Sequence, residues 1–214
     1  MAHVYNPLTY ARAPILQYYS SYASGVREIL FLGMNPGPFG MVQTGIPFGE
    51  VGMVRDYLGI DAPIGAPAEA HPKRPVQGWA CTRSEVSGRR LWGWVSQHYP
   101  APSDFFARHF VANYCPLAFL DAGGRNLTPD KLKPTEVEGL FARCDEALRE
   151  LVEALRVRRV IGVGQFARKR AEVALAGNGV RVDVILHPSP ASPAANRGWD
   201  VAVDAALADM GLDY

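Results

Sequence analysis

The chain has 214 residues, 48% of them apolar, which is enough to bury a full core in one globular domain spanning 1–214; its net charge of +1 gives no global field that would mark a polyanionic partner. Three cysteines, Cys81, Cys115 and Cys144, are odd in number and widely spaced, too few for a four-thiolate iron–sulfur cluster, and read as reduced core thiols. The first residues, Met-Ala-His-Val-Tyr-Asn-Pro-Leu, lack a basic and an apolar leader segment, and no stretch reaches the roughly 18 apolar residues of a membrane span, so a soluble intracellular protein without membrane or metal is expected.

In chain order, the opening segment with Tyr10, Tyr18, Tyr19 and Tyr22 predicts a helix packed outside a sheet. The apolar run Ile29 to Leu32 predicts a buried strand. It empties into residues 33–49, a loop stiffened by Pro36, Pro38 and Pro47 and kept open by glycines. A weak helical pattern covers Val51 to Tyr57, a Pro- and Ala-rich loop residues 61–80, and a helix Glu85 to Gln97. Phe110 to Tyr114 reads as the second strand and Asp121 to Pro134 as another long loop. Phe141, Cys144, Leu148, Leu151, Val152 and Leu155 recur at spacings of three and four opposite Glu146, Arg149, Glu150 and Glu153, so residues 136–155 should be an amphipathic helix. Strands at Val157 to Val163 and Val182 to Leu186 alternate with helices at Gln165 to Leu175 and Ala195 to Met210. This alternation argues an α/β fold, a three-layer sandwich around a central, mostly parallel four-stranded sheet.

Such sheets bind ligands beyond the carboxyl ends of their strands. That rule gathers Asn35 and Phe48 after the first strand, Asn113 at the end of the second and His187 after the last, with no carboxylate among them. Two amides and an aromatic ring suit the hydrogen-bonding edge and the face of a planar base, because an amide offers a donor beside an acceptor. An imidazole across the site can donate to an oxygen that gains charge as a bond breaks. Taken singly, each residue has a plainer reading: Asn35 beside Pro36 as a turn residue, Phe48 as core, His187 as a loop histidine, and Ser189 as a helix cap or a phosphate contact. Asn113 in an apolar strand is harder to dismiss, since a buried amide without a partner costs about 1–3 kcal/mol.

The run Gly33-Met34-Asn35-Pro36-Gly37-Pro38-Phe39-Gly40-Met41, continued by Gln43-Thr44-Gly45 and Pro47-Phe48-Gly49, together with His187-Pro188-Ser189-Pro190 and Asn196-Arg197-Gly198-Trp199, resembles the two signature motifs of the single-strand-selective monofunctional uracil-DNA glycosylases. His71-Pro72-Lys73-Arg74-Pro75, Ser84-Glu85-Val86-Ser87-Gly88, Cys115-Pro116-Leu117 and Gly124-Arg125-Asn126-Leu127-Thr128-Pro129 extend the likeness over most of the chain. The resemblance implies the uracil-DNA glycosylase fold and hydrolysis of uracil, and of 5-hydroxymethyluracil, from single- and double-stranded DNA by a monomer without a cofactor. It also implies a cytoplasmic enzyme at the nucleoid in a bacterium or a nuclear one in a eukaryote. By residue, it implies that Asn35 holds the attacking water, Phe48 stacks on the flipped base, Asn113 reads N3 and O4, and His187 supports O2. Met34 would contribute backbone to the pocket, and Gly37 would leave space at C5.

Pro188, Ser189, Pro190, Ala191, Ser192 and Pro193, with Arg197, would meet DNA, the segment after His187 acting as a wedge in the duplex. Ala191 departs from the arginine that relatives carry there, so duplex opening should be weak. Two other readings stay open: a same-fold glycosylase acting mainly on xanthine or hypoxanthine, and a protein that binds uracil-containing or single-stranded nucleic acid without turnover. Basic stretches at 71–90 and 156–170 are the expected sites of backbone contact.

Overall fold

A computed structural model describes residues 1–212. The chain begins with strand β1 (His3–Tyr5) and helices α1 (Pro7–Tyr10) and α2 (Arg12–Tyr22), followed by β2 (Ile29–Gly33), α3 (Met41–Thr44) and a π-helical turn at Met53–Tyr57. Helices α4 (Val86–His98) and α5 (Pro102–Arg108) lead into β3 (His109–Asn113), then β4 (Ala118–Leu120), β5 (Asn126–Leu127) and the long α6 (Pro134–Ala154). Last come β6 (Arg159–Val163), α7 (Gln165–Ala174), β7 (Arg181–Ile185), α8 (Pro193–Asn196) and α9 (Trp199–Asp209).

The main sheet has the order β3-β2-β6-β7 and every pairing in it is parallel. All of Ile29–Gly33 is buried, as a central strand covered on both faces must be. Helix α6 buries Cys144, Leu148 and Val152, one side chain per turn along the stripe that its sequence period marks. Its start is secured by Pro134 in the first turn and by the Glu136 carboxylate, which accepts the Lys133 N–H at 2.9 Å. From α2, Tyr18 is fully buried and donates its hydroxyl to the Val111 carbonyl at 2.8 Å, which fixes the opening helix against β3. Register sets the function-bearing end: Gly33 lies opposite Asn113, and Val163 opposite Ile185, so the loops beyond these residues leave from one edge of the sheet.

Four features depart from the sequence expectation. A second, antiparallel sheet of order β1-β4-β5 is built from strands of three, three and two residues, too short for a two-residue period to stand out. Its third strand and a 3-10 turn at Pro129–Lys131 occupy the stretch read as a long loop. Helix α5 spans only seven residues, started by Pro102. The helix expected over 195–210 is two helices, broken where Gly198 takes φ +135°, open to glycine alone at low cost.

Candidate active site

Beyond the carboxyl ends of β2 and β3, two side chains lie across bare backbone. A Cβ on Gly33 would come within 2.2 Å of Asn113 Oδ1 and 2.6 Å of the Phe48 ring, so only glycine lets the amide and the ring close over the strand end. Phe48 itself has φ +54°, a left-handed conformation that costs a bulky residue about 1–3 kcal/mol and persists only where its surroundings impose it. Here a buried indole does so. Trp92 donates Nε1–H to the Pro47 carbonyl at 3.1 Å, and Thr44 Oγ1 donates to the Gly49 carbonyl at 3.0 Å, clamping the chain on either side of Phe48.

The two amides are held from one side and open on the other. Asn35 Nδ2 donates to the Leu117 carbonyl at 3.3 Å, and its Oδ1 has no protein donor among the described residues. Asn113 Nδ2 donates to Met41 Sδ at 3.2 Å, which orients the amide with a second N–H and Oδ1 still to spend. Met34, between Gly33 and Asn35, is tied through its carbonyl to the Cys115 N–H at 2.9 Å.

His187 is fixed in tautomer as well as position. Its Nδ1 accepts the Ser189 N–H at 3.0 Å. Burial holds its pKa below the usual histidine value, so the ring is neutral near pH 7. A neutral imidazole whose Nδ1 accepts must carry its proton on Nε2, ready to donate. Just before it, the Leu186 carbonyl accepts the Trp199 indole N–H at 2.7 Å, so a buried indole anchors this side as Trp92 anchors the other. The Phe48 and His187 rings stand 6.3 Å apart, centroid to centroid.

The loop after His187 is braced from α4. Arg90 donates to the carbonyls of Pro188 (3.0 Å) and Ser189 (3.4 Å) and to Asn196 Oδ1 (2.9 Å), while Asn196 Nδ2 donates to the Pro190 carbonyl (2.9 Å). Ser192, not Ser189, caps α8 by accepting the Ala195 N–H; the Ser189 hydroxyl accepts the Ala191 N–H within the loop. Pro188 is buried, whereas Pro190, Ala191, Pro193 and Arg197 are exposed and Ser192 half-buried.

Met34, Asn35, Gly37, Phe48, Asn113, His187, Ser189 and Pro190 line one cavity of roughly 360 Å³. Ala191, Ser192, Pro193 and Arg197 lie outside that lining. Glu85, Met41, Asn126 and Thr128 also line it, and none of them was singled out from the sequence. The expectation of a pocket without a carboxylate is therefore corrected. Gly37 is corrected too: the volume beside it is filled, since a Cβ there would lie 2.5 Å from Glu85 Oε2. Burial raises the pKa of Glu85, while the N–H groups of Ser87 and Phe39 and the Arg83 guanidinium pull it back. The signal for Glu85 was its place in Ser84-Glu85-Val86-Ser87-Gly88, at the start of a helix that runs beside the loop.

Residues 21–210 match the uracil DNA glycosylase superfamily. The chain belongs to this superfamily. It is 51% identical to the single-strand selective monofunctional uracil DNA glycosylase of Mus musculus and 52% identical to that of Rattus norvegicus, covering 98% of this chain and 76% of each relative. The Bos taurus enzyme of the same name is 50% identical, with 78% of it covered. Among solved structures, SMUG2 of Pedobacter heparinus superposes with a TM-score of 0.70 at 16% identity, over 98% of this chain and 87% of that one, which shows a common fold.

For a member of the uracil DNA glycosylase superfamily, the charges bordering the cavity matter most. Arg83 lies 4.0 Å over the Phe39 ring and Arg74 5.5 Å from the same ring, next to the cavity-lining Pro38 and Glu85. Arg89 and Arg90 line a groove with Asn196 beside the wedge loop. The other basic stretch does not form a face. Arg156, Arg158 and Arg159 sit before or at the amino end of β6; Arg168 pairs with Glu172, and Arg170 with the half-buried Asp145. All three cysteines are free and buried. Among the described residues no cluster of His, Cys, Asp or Glu could hold a metal ion, and no helix is long and apolar enough to cross a membrane.

Proposed function

We propose that this protein is a monofunctional DNA glycosylase that hydrolyses the N-glycosidic bond of uracil, and of 5-hydroxymethyluracil, in DNA and leaves an abasic site. What supports this most is the locked imidazole: His187 offers Nε2–H into the cavity that also holds the amides of Asn35 and Asn113 and the Phe48 ring. The target nucleotide leaves the stack, at a cost of a few kcal/mol, and its base enters the cavity against Phe48. Asn113 then gives N–H to O4 and Oδ1 to N3–H. Cytosine presents a donor and an acceptor the other way round, so both contacts fail, at about 1–3 kcal/mol for each group left unpaired.

Bond cleavage sends the electron pair of the C1′–N1 bond into the base, where it spreads onto O2. His187 Nε2–H meets that charge; a single pre-aimed donor of this kind contributes on the order of 10²–10³ in rate. The sugar passes through an oxocarbenium-like state and needs only a weakly activated nucleophile. Asn35 Oδ1, open because its Nδ2 is engaged by Leu117, accepts from the water that adds to C1′. The second proton of that water passes to solvent, and the uracil anion takes one in turn. No lysine lines the cavity, so the chain offers no amine there for a Schiff base with the sugar and the strand is left uncut. Pro190 and Ala191, exposed and braced through Arg90, would enter the duplex, and the protein would act as a monomer.

The test is product analysis with a uracil-containing oligonucleotide, single- and double-stranded. Free uracil and alkali-labile sites without strand breaks before alkali are expected; folded protein releasing no base from either substrate would overturn the assignment.

A further inference from the structure

Round a uracil ring, starting at the sugar-bearing N1, the order is C2 with its oxygen, N3, C4 with its oxygen, C5 and C6. With O2 facing His187 and N3 and O4 facing Asn113, C5 comes next, on the side of Asn113 away from the imidazole. The structure leads from Asn113 to one group there. Asn113 Nδ2 touches Met41 Sδ, and Met41 opens α3 directly after the Gly37–Gly40 turn. A Cβ on Gly37 would lie 2.5 Å from Glu85 Oε2 and one on Gly40 2.9 Å from Glu85 Cγ, so the Glu85 side chain fills the volume that side chains at 37 and 40 would take. Glu85 lines the same cavity as Asn113 and His187.

We propose that Glu85 reads the C5 substituent of the bound pyrimidine: a carboxyl oxygen accepts a hydrogen bond from a 5-hydroxymethyl group, and disfavours a 5-methyl group, which would desolvate that oxygen without bonding to it. This rests on the base orientation given under the proposed function. The carboxyl is held for the task, because Ser87 and Phe39 N–H groups and Arg83 face it while Glu50 opposes its charge. Whether ionised or protonated, it keeps an accepting oxygen. Selectivity at C5 is thus set by a side chain from α4 laid over two glycines of the loop, and the glycines serve to admit that side chain.

The experiment compares single-turnover release of uracil, 5-hydroxymethyluracil and 5-ethyluracil, the last matching the hydroxymethyl group in size but lacking its donor. Wild-type protein is expected to release 5-hydroxymethyluracil at least about tenfold faster than 5-ethyluracil, the rate equivalent of one hydrogen bond. Glu85→Ala should bring that ratio near one, and Glu85→Gln, which keeps the volume and an accepting oxygen, should leave an intermediate ratio. A wild-type ratio near one, a ratio unmoved by both variants, or an equal slowing of all three substrates would each overturn the role of Glu85. Wild-type protein that releases none of the bases would instead sink the uracil reading beneath it. Glu85→Gln, near-isosteric, keeps the comparison available if Glu85→Ala does not fold.

Discussion

The two ends of the parallel sheet carry comparable positive charge and differ in almost everything else. At the carboxyl ends Asn35, Phe48, Asn113 and His187 surround a cavity, and buried donors hold them: Trp92 behind Phe48, Trp199 behind His187, Met41 against Asn113. At the amino ends Arg27, Arg156, Arg158 and Arg159 line a cleft with Glu28 and Leu212, but the buried Arg27 spends its guanidinium on the carbonyls of Val26 and Tyr22. A site is made by polar groups that the core aims, and a cluster of cations at strand starts is not one. Each end also has one buried histidine with a lowered pKa, His187 after β7 and His109 opening β3, so the comparison can be tested residue against residue.

The largest effects belong to the carboxyl end. His187→Ala and Asn35→Ala should each slow single-turnover uracil release by ~10²–10³ with the fold intact, as loss of one aimed group does; near-normal rates in both would remove the distinction between the ends. His109 should matter for stability instead. Burial, then the neighbouring Arg108, lowers its pKa to about 4, so the folded state stays neutral where the unfolded chain takes up a proton. Stability is therefore complete above pH 6.5 and lost as the pH falls towards 4, by up to about 1.4 kcal/mol per pH unit. Denaturant melts of His109→Leu between pH 7 and 4 should show a flatter pH dependence than wild type with uracil release little changed; an unchanged slope would contradict this.

Smaller shifts are expected at the rim. Arg90→Gln frees the carbonyls of Pro188 and Ser189 and should lower duplex activity several-fold more than single-strand activity, while Ala191→Arg should raise duplex activity preferentially; equal changes on both substrates would argue against a wedge. Smallest of all, Arg158→Gln should leave release rates and the salt dependence of DNA binding within about twofold, because one phosphate contact would shift the salt slope by about one unit.

Much of this was legible in the sequence. The four main strands fall within one or two residues of where their apolar runs place them, because a strand buried on both faces has no polar positions to blur it. Asn35, Phe48, Asn113 and His187 converge because parallel strands put their carboxyl ends on one side. Other features follow from long-range packing that no local pattern carries. Trp92 and Trp199 read correctly as core, yet their donation to Pro47 and Leu186 depends on where distant loops come to rest. Glu85 reads as an ordinary acidic residue at a helix start and acquires its place only because Gly37 and Gly40 leave it room. Charge counted along 156–170 failed because the end of one helix, a strand and the start of the next turn those residues to different sides.

The central claim, that the carboxyl end of the sheet takes up a flipped uracil, is tested most directly by a crystal structure of the slowed Asn35→Ala variant with a uracil-containing oligonucleotide. The expected result is the base stacked on Phe48, its N3 and O4 on Asn113, O2 within hydrogen-bond reach of His187 Nε2 and C5 towards Glu85. A base seated elsewhere, or turned so that Asn113 and His187 face other atoms, would contradict the account.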